Sequence, residues 1–273
     1  MADALLIVEG AHDAAFFGLL AERQAFSLVK KKSDIPNQWV QLIPVRFPPP
    51  RKPGESISDD LSHIVNYPDI YISPTGSVLG IVVAGGDSAL VKELRKSYEA
   101  LGPETVGRVA VVLDADWVEA PSDRFRKVVG QLEALNKQAS GEGETGFPLP
   151  LPDRPGEFSE GVPRLGIFVF PNNREQGTLE TILLACAANA HSAVSAAASG
   201  YISQVSSLAP SPGKFADDLK KTSSREKATA GAISSVYNPR AALAVAIRDG
   251  AWRLDGHLDL PALETFVRTL LNG

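Results

Sequence analysis

The chain has 273 residues, of which 44% are hydrophobic and 22% charged, and its formal net charge is −5. This length allows a substantial core in one large domain or two small ones. The sequence has no apolar run long enough to span a bilayer, and the apolar residues 4–8 are followed at once by Glu9, unlike a secretory leader. We therefore expect a cytoplasmic protein without membrane contact.

The cysteine content and the net charge narrow the chemistry further. The single cysteine, Cys186, excludes an internal disulfide and a cysteine-based metal site. The negative net charge argues against passive electrostatic adhesion to nucleic acid. A nucleic-acid enzyme stays compatible with it, because bound divalent ions can hold phosphates on an acidic protein.

Apolar runs and helical spacings alternate along most of the chain. Strands are predicted at residues 4–8, 78–83, 109–113 and 165–170. Helices are predicted after these strands, at residues 12–23, 88–101, 123–137 and 177–199. Four successive β–α units favour an α/β fold of the Rossmann-like type, with a mostly parallel sheet of about four strands flanked by helices.

Three stretches do not follow this alternation. Residues 33–76, with a Pro-rich loop at 47–54, read as an insertion that contains a strand at 39–45 and a short helix at 59–65. Residues 138–163, rich in Gly, Pro and Glu, predict a long loop. The tail is predicted to be helical at residues 201–208, 215–221, 224–237 and 260–271. We accordingly expect an α/β core over residues 1–200 and a helical extension over residues 201–273 that packs on it.

Two carboxylates, Asp114 and Asp116, follow the third predicted strand. Ligands of parallel sheets bind at the carboxyl ends of strands, and side chains two residues apart on an extended chain point the same way. Paired carboxylates repel unless a cation or a proton lies between them. A divalent-metal site is one interpretation. In the other, Asp114 caps the next helix and Asp116 is solvated.

Acidic residues also follow two other predicted strands. Glu9 ends the first strand, and Asp13 lies in the first turn of the next helix. Glu180 occupies the first turn of the helix after the fourth strand. The helix dipole favours Asp13 and Glu180 there without any chemistry. His12 is expected on the helix surface.

Two motifs resemble the Toprim (topoisomerase–primase) domain: Leu6-Ile7-Val8-Glu9-Gly10-x-x-Asp13 and Val111-Val112-Leu113-Asp114-Ala115-Asp116. That family pairs a Glu after its first strand with an Asp-x-Asp after a later strand, around a divalent metal. Residues 168–180 and 226–252 resemble a small prokaryotic Toprim-related family. This family is similar in turn to the nuclease half of overcoming-lysogenisation-defect (OLD) proteins. The resemblance covers almost the whole chain, apart from about residues 33–76 and the loop near residue 141.

The resemblance implies a nuclease that hydrolyses phosphodiester bonds of DNA, or of RNA, in phage defence or repair. It implies two Mg²⁺ or Mn²⁺ ions, whose ligands would be Glu9, Asp13, Asp114, Asp116 and Glu180. Asp114 would bridge the ions, and Glu9 would act as a ligand or as a general acid/base. Lys227 would face the phosphate and stabilise developing charge, with Lys220, Lys221 and Arg225 as competitors for that role. The catalytic set is thus Glu9, Asp114, Asp116 and Lys227.

Two alternatives stay open. The first is a non-catalytic Toprim-like module that binds metal, nucleotide or nucleic acid within a larger complex. Nothing in this sequence resembles the ATPase of OLD proteins, so an ATPase, if this family uses one, would be a partner on a separate chain; a homo-oligomer is also open. The second alternative is an Asp-x-Asp phosphatase. The pair Trp117-Val118 after the second Asp fits it poorly, and Glu9-Gly10 would be unexplained.

Overall fold

The computed structural model describes residues 3–43, 68–143, 147–208, 217–254 and 260–272. Its strands are β1 (Asp3–Val8), β2 (Ser27–Leu28), β3 (Asp69–Ile72), β4 (Val78–Val83), β5 (Val106–Asp114) and β6 (Arg164–Phe170). They form one sheet in the order β2-β3-β4-β1-β5-β6. The pairs β4–β1, β1–β5 and β5–β6 are parallel, and the pairs β2–β3 and β3–β4 are antiparallel. The predicted α/β class with a mostly parallel sheet is confirmed, with six strands instead of about four.

Helices cover both faces of the sheet. They are α1 (Ala11–Arg23), α2 (Leu90–Leu101), α3 (Pro121–Glu142), α4 (Leu179–Ala190), α5 (Ser192–Leu208), α6 (Thr222–Tyr237), α7 (Leu243–Arg248) and α8 (Leu260–Asn272). Alternate residues of β1 divide between two cores, as the pleat requires. Leu6 and Val8 pack with α1, α4 and the C-terminal helices, whereas Leu5 and Ile7 pack with α2 and α3. None of the helices among the described residues has the length and apolar character needed to cross a bilayer.

Several local predictions need correction. Residues 40–42 form a 3₁₀ turn in place of a strand, because Trp39 is drawn into the core and its indole N–H donates to Asp3 at 2.9 Å. The helix predicted at residues 177–199 is interrupted at His191, and α5 runs across residue 200. Helix α7 was not predicted, and β3 lies inside the predicted insertion. The predicted loop at 47–54 and helix at 59–65 lie outside the described residues.

Gly80 on β4 leaves space for the Trp39 ring. A Cβ at Gly80 would lie 2.2 Å from Cζ3 of Trp39, which is fully buried. We expect Gly80→Ala to lower the free energy of unfolding by about 1–3 kcal/mol, because overpacking displaces the ring. Urea unfolding measures this. Gly130→Ala in α3, where a Cβ meets no atom within 4 Å, is the matched control and should stabilise by up to about 1 kcal/mol. Equal stability of the two variants would contradict the prediction.

Candidate functional site at the strand ends

The carboxyl ends of β1, β4 and β5 surround a cavity of about 440 Å³. Glu9 follows β1, Asp114 ends β5, and the first turns of α1 and α4 bring in two further acids. A lysine from α6 completes the charged part of the wall. The predicted site residues that line this cavity are Glu9, Asp13, Asp114, Glu180 and Lys227. They converge because parallel strands end at one edge of a sheet.

Backbone amides hold three of these carboxylates. The N–H of Asp114 donates to Glu9 Oε1 at 3.0 Å, and the N–H of Leu179 donates to Asp114 Oδ1 at 3.1 Å. The N–H of Gly10 donates to Asp13 Oδ2 at 2.8 Å. Asp114 therefore caps α4, and not the helix that follows it in sequence. Within the part of the chain that the structure describes, the second oxygen of each of these carboxylates makes no hydrogen bond.

Asp116 lies at the margin of the site. Strand β5 ends at Asp114, and Asp116 has a left-handed φ of 57°. Its N–H and C=O pair with Gly177, each at 2.9 Å. The extended strand, in which side chains two residues apart point the same way, thus ends before Asp116. Asp116 is not among the described residues that line the cavity. Its charge still acts on Glu9 and Lys227.

Burial and like charge raise the pKa of the central carboxyl groups. Burial, followed by the charges of Asp13 and Glu9, raises the pKa of Asp114 well above its ordinary value. Burial and the charges of Glu180 and Glu9 raise the pKa of Asp13 to about 7, against the hydrogen bond from Gly10. Burial also raises the pKa of Glu9. The described protein groups therefore compensate these negative charges only in part.

Glu180 is the better compensated acid of the site. Its Oε1 lies 3.1 Å from Nδ1 of His12, and Thr178 Oγ1 donates to its Oε2 at 3.0 Å. Burial opposes ionisation, but the bond to His12 and the charge of Lys227 lower the pKa of Glu180. Burial lowers the pKa of Lys227. The charges of Glu180 and Asp114 outweigh burial and raise this pKa above its ordinary value. His12 is partly exposed, as expected on a helix surface, yet its ring belongs to the site.

Arg124 is a site residue that sequence reasoning missed. It is buried in α3, and its Nε donates to the carbonyl of Asp114 at 3.0 Å. Its Nη1 donates to Asp87 at 2.9 Å, and Nη2 lies 3.5 Å from Glu9 Oε1. The hydrogen bond from Arg124 lowers the pKa of Asp87. The sequence signal that could have identified Arg124 was its position on the apolar stripe of α3, one residue before the buried Phe125.

Glu226 is a second missed residue. Its Oε2 accepts hydrogen bonds from Trp117 Nε1 at 3.2 Å, Thr181 Oγ1 at 3.2 Å and Thr178 Oγ1 at 3.4 Å. Burial raises the pKa of Glu226. These contacts tie the loop after β5 and the start of α4 to α6. They place the neighbouring residue, Lys227, beside the cavity.

The donor chemistry of the site suits a hard divalent cation. The carboxylates supply oxygen donors, which Mg²⁺ and Mn²⁺ prefer. As they stand, no three His, Cys, Asp or Glu side chains within the described ranges form a group that could hold a metal ion. Ion binding would therefore require these side chains to move closer together than they stand. The partly compensated charge of Asp13 and Asp114 favours such a rearrangement.

Asp13 gives a pH-dependent test of this electrostatic arrangement. Its folded pKa is raised from 3.8 to about 7. Between these values the folded state binds more protons than the unfolded state, so this residue makes stability fall as the pH rises. We expect Asp13→Asn, which keeps an acceptor for Gly10, to stabilise the protein at pH 8 by on the order of 1–3 kcal/mol. Urea unfolding with a chelator at pH 5 and pH 8 measures this; a less stable variant at pH 8 would contradict it.

Fold and site together define a doubly wound α/β protein with an acidic cavity at its strand ends. The chain belongs to the family described as "Protein of unknown function (DUF3226)", whose family model matches residues 3–272. The crystal structure of hypothetical protein PH0156 from Pyrococcus horikoshii OT3 is similar over 98% of this chain and 100% of that chain, with 20% sequence identity and a TM-score of 0.44. None of the curated proteins matches the chain.

Proposed function

We propose that this protein is a divalent-metal-dependent nuclease that hydrolyses phosphodiester bonds, with DNA favoured over RNA. One observation carries the proposal: separate segments of the chain bring four carboxylates and Lys227 to one cavity. Mutually repelling acids raise the free energy of the folded state unless a cation or a proton compensates them, and a bound cation does so without loss of the ionised ligands. The resemblance of the strand-end motifs to Toprim domains supports the same chemistry.

Glu9, Asp13, Asp114 and Glu180 would hold Mg²⁺ or Mn²⁺, with Asp116 at the margin. When bound, two such ions activate a water, neutralise the scissile phosphate and assist the leaving oxygen. The backbone amides that bind one oxygen of Glu9, Asp13 and Asp114 would orient these carboxylates.

Lys227 would balance negative charge on the phosphate. It lines the cavity, and its raised pKa keeps it charged at neutral pH. Lys220 and Lys221 are exposed and pair with Asp217 and Asp218, which favours Lys227 over them for this role. Arg225 does not line the cavity in the part of the chain that the structure describes.

A second candidate function is a non-catalytic module that binds metal, nucleotide or nucleic acid within a complex that contains a separate ATPase chain. The observation that favours it is that the acidic side chains already hold backbone amides in place. Glu9, Asp13 and Asp114 each accept a backbone amide, and no ready ligand group exists among the described residues. Under this alternative Glu9 joins the ends of β1 and β5, Asp114 joins β5 to α4, and Asp13 holds the start of α1.

Cleavage assays separate the two candidates. The protein is incubated with supercoiled DNA, linear duplex, single-stranded DNA and RNA, each with Mg²⁺, Mn²⁺ or a chelator. The nuclease proposal expects cleavage with Mg²⁺ or Mn²⁺ and none with the chelator. Folded protein that cleaves no substrate with either ion would overturn the nuclease. Calorimetric binding of Mn²⁺ without cleavage would support the binding module.

A further inference from the structure

Trp117 differs from the other tryptophans of the chain by its exposure. Trp39 and Trp252 are buried in the two cores, whereas Trp117 is 40% exposed. It directly follows Asp116, in the loop that leaves the end of β5. The next residue, Val118, is also exposed. Trp117 thus presents part of an aromatic ring to solvent three residues after Asp114, which lines the cavity.

The indole of Trp117 is held from one edge. Its N–H donates to Glu226 Oε2 at 3.2 Å, and the same oxygen accepts hydrogen bonds from the hydroxyls of Thr181 in α4 and of Thr178, the residue before α4. Glu226 precedes Lys227, the lysine of the cavity wall. The hydrogen bond to Glu226 restrains the ring before any ligand arrives. A ring fixed in this way loses little conformational entropy on binding a flat partner.

We infer that Trp117 stacks on an unpaired nucleobase of a nucleic acid whose phosphate lies in the strand-end cavity. The inference rests on the proposed function and specifies its substrate class. Stacking on an aromatic ring tolerates every base, because each base has a π-face. Trp117 is three residues from Asp114, so their Cα atoms are at most about 11 Å apart.

The stacked base must be unpaired. Inside a duplex its faces are covered by neighbouring bases, and exposing one requires unstacking. The substrate is accordingly single-stranded nucleic acid, or the frayed end or gap of a duplex. Lys227 lines the cavity and follows Glu226, the residue hydrogen-bonded to the ring, and it supplies the positive charge that such sites use to hold the backbone.

Tryptophan fluorescence tests this stacking directly, because Trp117 is the exposed member of three tryptophans. A 15-nucleotide oligothymidylate that carries a fluorescein label is titrated with Ca²⁺ present, under conditions where it stays intact, and its anisotropy gives the affinity of every variant, including those without Trp117. We expect quenching in the wild type, and about 5- to 100-fold weaker binding for Trp117→Ala. Trp117→Phe keeps a ring and should restore affinity to within about threefold of the wild type. Tyr201→Ala, an exposed aromatic on α5 that does not line the cavity, should bind like the wild type.

Two comparisons separate this inference from the proposed function. If the wild type cleaves nucleic acid and Trp117→Ala binds the oligonucleotide as tightly as the wild type, the stacking role is overturned and the nuclease stands. If Trp117→Ala loses binding but no substrate is cleaved with Mg²⁺ or Mn²⁺, the stacking role stands and the nuclease is overturned. An equal loss for duplex and single strand would overturn the assignment to an unpaired base. A rise in KM with unchanged kcat for Trp117→Ala would support both the stacking role of Trp117 and the nuclease.

Discussion

Asp114→Asn is expected to fold like the wild type and to cleave nucleic acid about 10³-fold more slowly or worse. The proposed ions stabilise the transition state by several kcal/mol, and each 1.36 kcal/mol corresponds to tenfold in rate. Asp114 is central to the acidic set, since the charges of Asp13, Glu9 and Glu180 all act on it. Asparagine keeps an acceptor for the Leu179 amide, so the cap of α4 persists. It removes only the negative charge and one potential metal donor.

The measurement is the single-turnover cleavage rate with Mn²⁺, together with Mn²⁺ affinity by calorimetry and the thermal unfolding midpoint. Asp123→Asn is the matched control, because this carboxylate is exposed in the first turn of α3 and pairs with Arg126. We expect the control to keep the wild-type rate. A folded Asp114→Asn protein that cleaves within about tenfold of the wild type would exclude Asp114 as a metal ligand.

The central strands could be predicted because they are buried on both faces. Strands β1 and β5 contain continuous apolar runs, at residues 4–8 and 109–113, which is typical of the middle of a parallel sheet. Strands β2 and β3, on one side of the sheet, gave no such signal. Strand β2 has two residues and β3 has four, too few for a hydrophobic period to appear. They are strands because they pair with a neighbour, which is a tertiary property.

The acidic part of the site could be predicted for a similar reason. Glu9 and Asp114 come directly after apolar strands, and the topology of a parallel sheet brings such ends together. The backbone turn at Asp116 was not predictable, because the sequence does not show which aspartate adopts a left-handed φ. Glu226 was missed since Trp117 and Thr181, which define its role, are 109 and 45 residues away along the chain.

The sequence contained a misleading signal at Arg124. An arginine in an amphipathic helix is usually assigned to the solvated face, yet Arg124 lies on the buried face of α3. Its guanidinium joins the ends of three strands. It binds the carbonyl of Asp114 at the end of β5, approaches Glu9 after β1, and pairs with Asp87 after β4. Five donors in a fixed planar fork suit this task, which lysine cannot fulfil.

Arg124→Met is therefore expected to lower the free energy of unfolding by about 2–4 kcal/mol. Removing one partner of a buried ion pair costs about 3–5 kcal/mol, because the other charge stays buried without compensation. Glu9 and the Asp114 carbonyl would bear that penalty. Asp87 is 42% exposed and regains water, which reduces the loss. Urea unfolding at pH 7.5 in a chelator measures the change.

Arg126→Met supplies the matched control two residues further along α3. Arg126 is 74% exposed and pairs with Asp123 on the same helix, so its loss should change stability by at most about 0.5 kcal/mol. Asp87→Asn and the double variant with Arg124→Met complete a cycle that isolates the Arg124–Asp87 term. A coupling below about 1 kcal/mol, with a large loss for Arg124→Met alone, would assign most of the effect to Glu9 and the Asp114 carbonyl. Equal stability of Arg124→Met and Arg126→Met would mean that the guanidinium does not hold the strand ends together.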